Sequence, residues 1–241
     1  MAFRKFLKLT CQKIFTLRTK DGNMRISRFF SEDDLRKIEA AVKQAESRIS
    51  GEIVPVFTDQ SDNYEIGNLR AGLTFSIVAA VIWLTLYKFA SFWGGNWIYA
   101  PESLMVLMTS AFCAGFFLAL FIPRFRICFM LGRELAQSVD REARLAFLRE
   151  NVFETKHRTG VLILISLLEH RAEVLGDIGI SARVEAKDWE NVLNPILQGL
   201  KNKQKAEGIC KAIELTRDLL VEKGFSAEAD DTNELPDNLR H

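Results

Sequence analysis

TGVLILISLL, Thr159–Leu168, is the stretch on which the fold turns. Its apolar run from Val161 to Ile165 has β-branched residues at 161, 163 and 165 and no polar alternation. A strand with one wet face would alternate, so this one reads as a central strand buried on both faces. A central strand needs a neighbour on each side. Downstream, a tight turn at Glu169-His170 leads into RAEVLGD (Arg171–Asp177), read as a partner strand. Upstream, GEIVPVFT (Gly51–Thr58) is a short β-branched run between Gly51 and Asp59, and its Pro55 predicts an edge position or a bulge.

Helical patterns surround these strands. SEDDLRKIEAAVKQAESRI opens at Ser31, with Asp34 at the reciprocal capping-box position and Leu35, Ile38, Ala41, Val42 and Ala45 as its apolar stripe. RELAQSVDREARLAFLREN follows with Leu135, Val139, Ala143 and Ala146 at helical spacing. VEAKDWENVLNPILQGLKN reads as a helix kinked near Pro195, with Trp189 packed on the sheet. KAEGICKAIELTRDLLVEKG reads as a last helix ended by Gly224. The fold class that follows is α/β, a three-layer α/β/α sandwich, because neither side of the chain alone makes a sheet covered on both faces.

Between the first and central strands the composition changes. From Ala71 to Pro123 only Lys88 and Glu102 are charged. AGLTFSIVAAVIWLTLY (Ala71–Tyr87) spans ~26 Å as a helix, and LMVLMTSAFCAGFFLALFIP (Leu104–Pro123) spans ~30 Å. That matches a hydrocarbon core of ~30 Å once Lys88 snorkels. Neither run has a polar face, so both read as transmembrane helices, about 70–90 and 104–123. Phe89, Phe92, Trp93, Trp97 and Tyr99 in the connection suit a bilayer interface, and Gly94, Gly95 and Pro101 suit a reversal. Gly115 and Ala111, with Ala79 and Ala80, offer small surfaces for close helix approach. The residues between Arg124 and Arg133 read as a continuation of the second helix.

The predicted organisation is therefore a basic segment 1–25, a first domain part 26–68, an inserted hairpin 69–123, a second domain part 124–225 and an acidic tail 226–241 read as disordered. Arg70, Arg124, Arg126 and Arg133 flank the hairpin against Lys88 in its connection, which predicts a multi-pass protein with both termini cytoplasmic. The first 25 residues carry Arg4, Lys5, Lys8, Lys13, Arg18, Lys20 and Arg25 against Asp21. Three readings stand for them: a lipid-facing arm, a targeting peptide, or a stretch ahead of a start at Met24, the last being favoured. Cys11, Cys113, Cys128 and Cys210 have no metal or dithiol spacing and read as reduced thiols. A formal net charge of +1 gives no argument for nucleic acid.

Candidate chemistry is sparse. Ser-His-Asp, Cys-His, Walker and H-E-x-x-H patterns are absent, and His157 and His170 read as solvated turn residues. The acids near strand ends are Glu52, Asp59, Asp62, Glu65 and Asp177. Asp59, Asp62 and Glu65 share a loop at a spacing able to ligate a hard divalent cation such as calcium through oxygens, and Asp177, at a strand end, joins Asp59 and Asp62 as a candidate metal ligand. Arg158 and Arg171 are candidate anion binders, with Glu154, Glu169 or Glu173 as alternative ion-pair partners.

Five segments carry a resemblance: Gly51-Glu52-Ile53-Val54, Thr159-Gly160-Val161-Leu162-Ile163, Arg171 with Gly176-Asp177-Ile178-Gly179-Ile180, Ala206-Glu207-Gly208-Ile209, and the tail's Asn233-Glu234-Leu235-Pro236-Asp237. In this order they resemble the TPM domain family of thylakoid, bacterial and nematode membrane proteins, and in particular a bacterial inner-membrane subgroup. The resemblance covers roughly Ile26 to Gly224 and the tail. It implies an α/β/α sandwich and, for some members, acid phosphatase activity; others serve in photosystem repair or as receptor accessory subunits. The usual layout places the domain before a membrane helix, whereas here a hairpin splits it. Two functions are expected from this: a membrane-anchored interaction, assembly or repair module for a membrane-protein client, or a weak metal-dependent acid-phosphatase-like hydrolase using Asp59, Asp62 and Asp177.

Overall fold

The computed structural model describes residues 29–90 and 101–227. The basic N-terminal segment, the aromatic connection at 91–100 and the acidic tail from residue 228 lie outside the described residues. The described chain divides into two compact units, one of residues 1–61 with 139–241 and one of residues 62–138.

The first unit is built on a three-stranded mixed sheet. β1 (Ile53–Thr58) pairs in parallel with β2 (Val161–Ser166), which pairs antiparallel with β3 (Arg171–Gly176). β2 is central and buried at every position, as its unbroken apolar run predicts. β1 is an edge strand, so Pro55 forfeits no ladder bond that a further neighbour would need. The predicted turn is present: His170 has φ 51°, and its N–H reaches the Leu167 carbonyl at 3.3 Å.

Alternate residues of the strands feed two apolar clusters. Ile53 and Phe57 of β1 with Val161, Ile163 and Ile165 of β2 meet α1 (Glu32–Glu46), α7 (Glu190–Asn202) and α8 (Lys205–Glu222). Val54, Val56, Leu162 and Leu164 meet Val139, Ala143 and Ala146 of α5 (Gly132–Arg149), together with Val152. The period of two thus sends Val161 to Ile165 of β2 alternately into the two clusters, each large side chain contributing about 1.5–3 kcal/mol.

Local signals explain the helix ends. The Ser31 hydroxyl accepts from the Asp34 N–H, and the Asp34 carboxylate accepts from the Ser31 N–H, completing the predicted capping box of α1. Gly224, at φ +85°, ends α8. The Gly224 and Phe225 N–H groups return to the carbonyls of Val221 and Leu220, a Schellman closure that buries Phe225 beside Leu220. One expectation is corrected. The helix predicted from Val184 begins as a separate 3-10 turn (Ala186–Trp189), with Asp188 bonding back to the Glu185 N–H, and α7 continues from Glu190 with Pro195 inside it. A short α6 (Ile178–Ser181) follows β3.

The second unit holds α2 (Glu65–Ala90), α3 (Pro101–Phe121) and α4 (Pro123–Ile127). α2 and α3 are long and apolar enough to cross a membrane, over Glu65–Lys88 and Glu102–Phe121. Most of their large apolar side chains are exposed, Ile77 at 61% and Met105 at 70% among them. The close approach predicted for this pair is present at Gly115, and on α2 Gly72 takes part in it. A Cβ at Gly72 would lie 2.8 Å from the Phe112 ring, and one at Gly115 would lie 2.8 Å from the Ala71 carbonyl. Nor does α3 continue past Pro123: Ile122 is extended, and Pro123 opens α4, the position where its missing N–H costs nothing.

Candidate functional site

The strand register sorts the candidate residues. Thr58 pairs with Ser166 and Ser166 with Arg171, so Asp59 and Arg171 belong to one end of the sheet. Ile53 pairs with Val161 and Val161 with Gly176, so Glu52, Arg158 and Asp177 belong to the other. At ~3.3 Å per residue the six-residue strands hold Asp59 and Asp177 on the order of 20 Å apart. They do not converge on one cation. Among the described residues there is no group of three or more His, Cys, Asp or Glu able to hold a metal ion. The reason is topological: β3 returns antiparallel, so its end lies opposite the end of β1.

Asp177 and Arg158, expected as ligand and anion binder, instead engage each other. Arg158 donates from Nε to Oδ2 at 2.7 Å and from Nη2 to Oδ1 at 3.2 Å. The Asp177 side chain is 3% exposed and also accepts from the Ile178 N–H at 2.7 Å. The partners foreseen for Arg158 did not include Asp177. Gly179 lets this corner close, because a Cβ there would sit 2.7 Å from the Arg158 carbonyl. Glu52 is buried beside the same corner, its carbonyl accepting from the Val161 N–H at 2.8 Å.

At the other end lies a constellation that the sequence reading did not foresee. Ser166, the polar last residue of β2, is wholly buried. Ser61 donates its hydroxyl to Ser166 Oγ at 3.0 Å, and Ser166 donates in turn to Glu169 Oε2. The other Glu169 oxygen takes the Ser61 N–H at 2.7 Å. The chain of hydroxyls thus ends on a buried carboxylate, an arrangement in which each bond polarises the next. It fixes the segment leaving β1 to the turn after β2, with the Leu168 N–H adding a 3.0 Å bond to the Asp59 carbonyl. Enclosed as it is, it is a latch rather than an open nucleophile. The available signal was a hydroxyl closing an apolar strand with an acid three residues on.

Arg171 begins β3 close to Glu173, whose carboxyl is raised above the usual range by burial and by nearby Asp140, against opposing pulls from Arg144 and Arg171. In the second unit, Asp62 accepts from Ser138 Oγ at 3.4 Å and from the Asn63 N–H at 2.7 Å. There Arg70 of α2 clasps Glu134 of α5 through two bonds of 2.6 and 2.8 Å. Those bonds, helped by the Leu131 N–H, hold the Glu134 carboxyl down at about 2.

The glycines of the recurring segments act by proximity. A Cβ at Gly51 would lie 2.7 Å from the Thr159 carbonyl, one at Gly160 would run into the Val152 carbonyl, and one at Gly208 would lie 2.6 Å from the Pro195 carbonyl. These short motifs therefore encode packing of backbone on backbone.

The fold is similar to that of a known bacterial protein. The NMR structure of the BA42 protein from the psychrophilic bacterium Bizionia argentinensis superposes with a TM-score of 0.53 at 18% identity, covering 88% of this chain and 94% of that one. At that identity the likeness concerns the fold alone. Neither a family model nor a curated relative matches the sequence.

Proposed function

We propose that this chain is a membrane-anchored interaction module, a TPM-like α/β/α sandwich interrupted by a transmembrane hairpin, which docks a membrane-protein client for assembly or repair. One observation carries the reading. α2 and α3, both of membrane-crossing length and composition, lie in the chain between β1 and β2, which are hydrogen-bonded neighbours in one sheet. A chain that leaves the sheet, crosses twice and returns to pair with the strand it left keeps its domain on one side of the bilayer and tethered to it. The flanking arginines favour the cytoplasm for that side, and the resemblance favours a bacterial inner membrane. Tethering favours partners that are themselves in the membrane, since it raises their effective concentration and not that of a diffusible substrate.

The hydrolase alternative has less support, because two of its three acids, Asp59 and Asp177, belong to opposite ends of the sheet. The test is photo-crosslinking from exposed domain positions in intact cells, followed by co-purification. The expected result is a reproducible membrane-protein partner. Recovery of none, together with divalent-metal-dependent phosphatase activity in the purified protein, would reverse the ranking. A reporter fused after His241 tests the orientation; activity in a periplasm-dependent reporter alone would invert it.

A further inference from the structure

The most exposed residues along α5 are Arg133, Gln137, Arg141, Arg144, Leu145 and Leu148, with Arg149 in the last turn, and the Asp140 side chain, 41% exposed, lies beside them paired with Arg144. Its acids, Glu134, Asp140 and Glu142, are all partly withdrawn. Glu134 is held by Arg70, Asp140 by Arg144 and Glu142 by Arg149, the last also bonded to Glu150. The opposite side of the helix carries Val139, Ala143 and Ala146 into the core. At 100° per residue, Arg133, Gln137, Arg141, Arg144, Leu145 and Leu148 share one outward face. Leu145 is 53% exposed and Leu148 62% exposed, although the inner face has already met the helix's need for burial.

We propose that this outward face of α5 lies on anionic lipid headgroups, as an interfacial helix with its leucines entering the headgroup boundary. The inference rests on the hairpin reading above. Guanidinium groups with leucines between them are what an anionic membrane surface recognises, by charge at the rim and apolar area beneath. The occupant is argued to be lipid because the helix begins a few residues beyond α3, the second membrane-length segment, with only α4 intervening.

The experiment uses the full chain in nanodiscs, with native cysteines changed to serine and a nitroxide placed singly at Leu148→Cys, Ile178→Cys or Val81→Cys. Power saturation then compares collisions with oxygen and with a polar nickel chelate. In discs containing phosphatidylglycerol, the label at 148 is expected to favour oxygen, that at 178 to remain aqueous and that at 81 to report the hydrocarbon. Arg141→Glu with Arg144→Glu should return the label at 148 to water, each reversal lowering the docked population roughly fivefold or more. An aqueous label at 148 beside a buried one at 81 overturns the proposal and leaves the hairpin standing. An aqueous label at 81 overturns both. Protection at 148 that persists in lipid-free detergent would assign the face to a protein partner or a second copy, and also overturns it.

Discussion

Arg158 grips Asp177 through two hydrogen bonds in which the acceptor is buried and the donor half exposed. That asymmetry decides which substitution hurts more. Arg158→Ala strands a buried carboxylate with only the Ile178 N–H on Oδ1, and should cost about 2–3 kcal/mol. Asp177→Asn keeps an oxygen for that N–H and for Arg158 Nη2, but loses the bond from Nε along with the charge assistance while the half-exposed guanidinium turns to water, about 1–2 kcal/mol. Denaturant unfolding followed by circular dichroism measures both. Equal costs, or a larger one for Asp177→Asn, would mean that the carboxylate has another charged partner.

Ser166 and Glu169 make the corresponding prediction at the far end of the sheet. Ser166→Ala removes the donor to a buried Glu169 oxygen and interrupts the path to Ser61. The expected loss is about 1–3 kcal/mol, with amide exchange speeding up at Ser61 and Leu168, whose N–H groups tie this corner. Unchanged exchange at Ser61 would show that the latch does not restrain the segment leaving β1.

Glu134 sets a pH dependence. Its folded-state pKa is depressed to about 2 by Arg70, so the pair contributes stability above the unfolded value of 4.5. That contribution is lost as pH falls from there through about 2. In thermal scans of the detergent-solubilised protein, Arg70→Gln should flatten the acid limb over this window and leave the neutral-pH slope alone. An acid limb identical in the two proteins would assign it to other carboxylates.

Gly208 opposes two known quantities. Alanine would gain about 1 kcal/mol of helix propensity within α8. Its Cβ would, however, stand 2.6 Å from the Pro195 carbonyl and 3.1 Å from the Gly199 Cα, both backbone positions of α7 or facing it. Overpacking costs of about 1–3 kcal/mol should win, and Gly208→Val should be worse than Gly208→Ala. A stabilised Gly208→Ala protein would show that α7 and α8 slide apart without penalty.

How much of this was legible in the sequence depends on range. β2 announced itself by its unbroken apolar run, α1 by Ser31 and Asp34, and the end of α8 by Gly224, all local signals read within one element. The ion pair of Arg158 with Asp177 was not legible, because it depends on the antiparallel return of β3 and on a backbone approach at Gly179. Asp59 and Asp177 were grouped for the same reason: both flank strands, but which end of the sheet each occupies is a matter of strand direction. Ser61, Ser166 and Glu169 meet only once β1 and β2 are side by side. Gly115 was legible as a point of close helix approach, but Gly72 was not, because small residues are common in such helices and only their register selects the pair.

The native cysteines supply the sharpest test of the hairpin. Cys113 of α3 and Cys128 just after α4 are both exposed on the protein surface. What distinguishes them is the surrounding medium, since Cys113 lies within the membrane-length segment and Cys128 beyond it. A thiol in hydrocarbon cannot form the thiolate that attacks a maleimide, whereas one in water can. With Cys11 changed to serine, Cys128 should be modified quickly in membranes and Cys113 hardly at all. Cys210, half buried with its pKa raised chiefly by burial, should react slowly for a different reason. Detergent denaturation should bring all three to one rate. If Cys113 reacted as fast as Cys128 in intact membranes, α3 would be in water, and the reading of the chain as a membrane-split domain would fall with it.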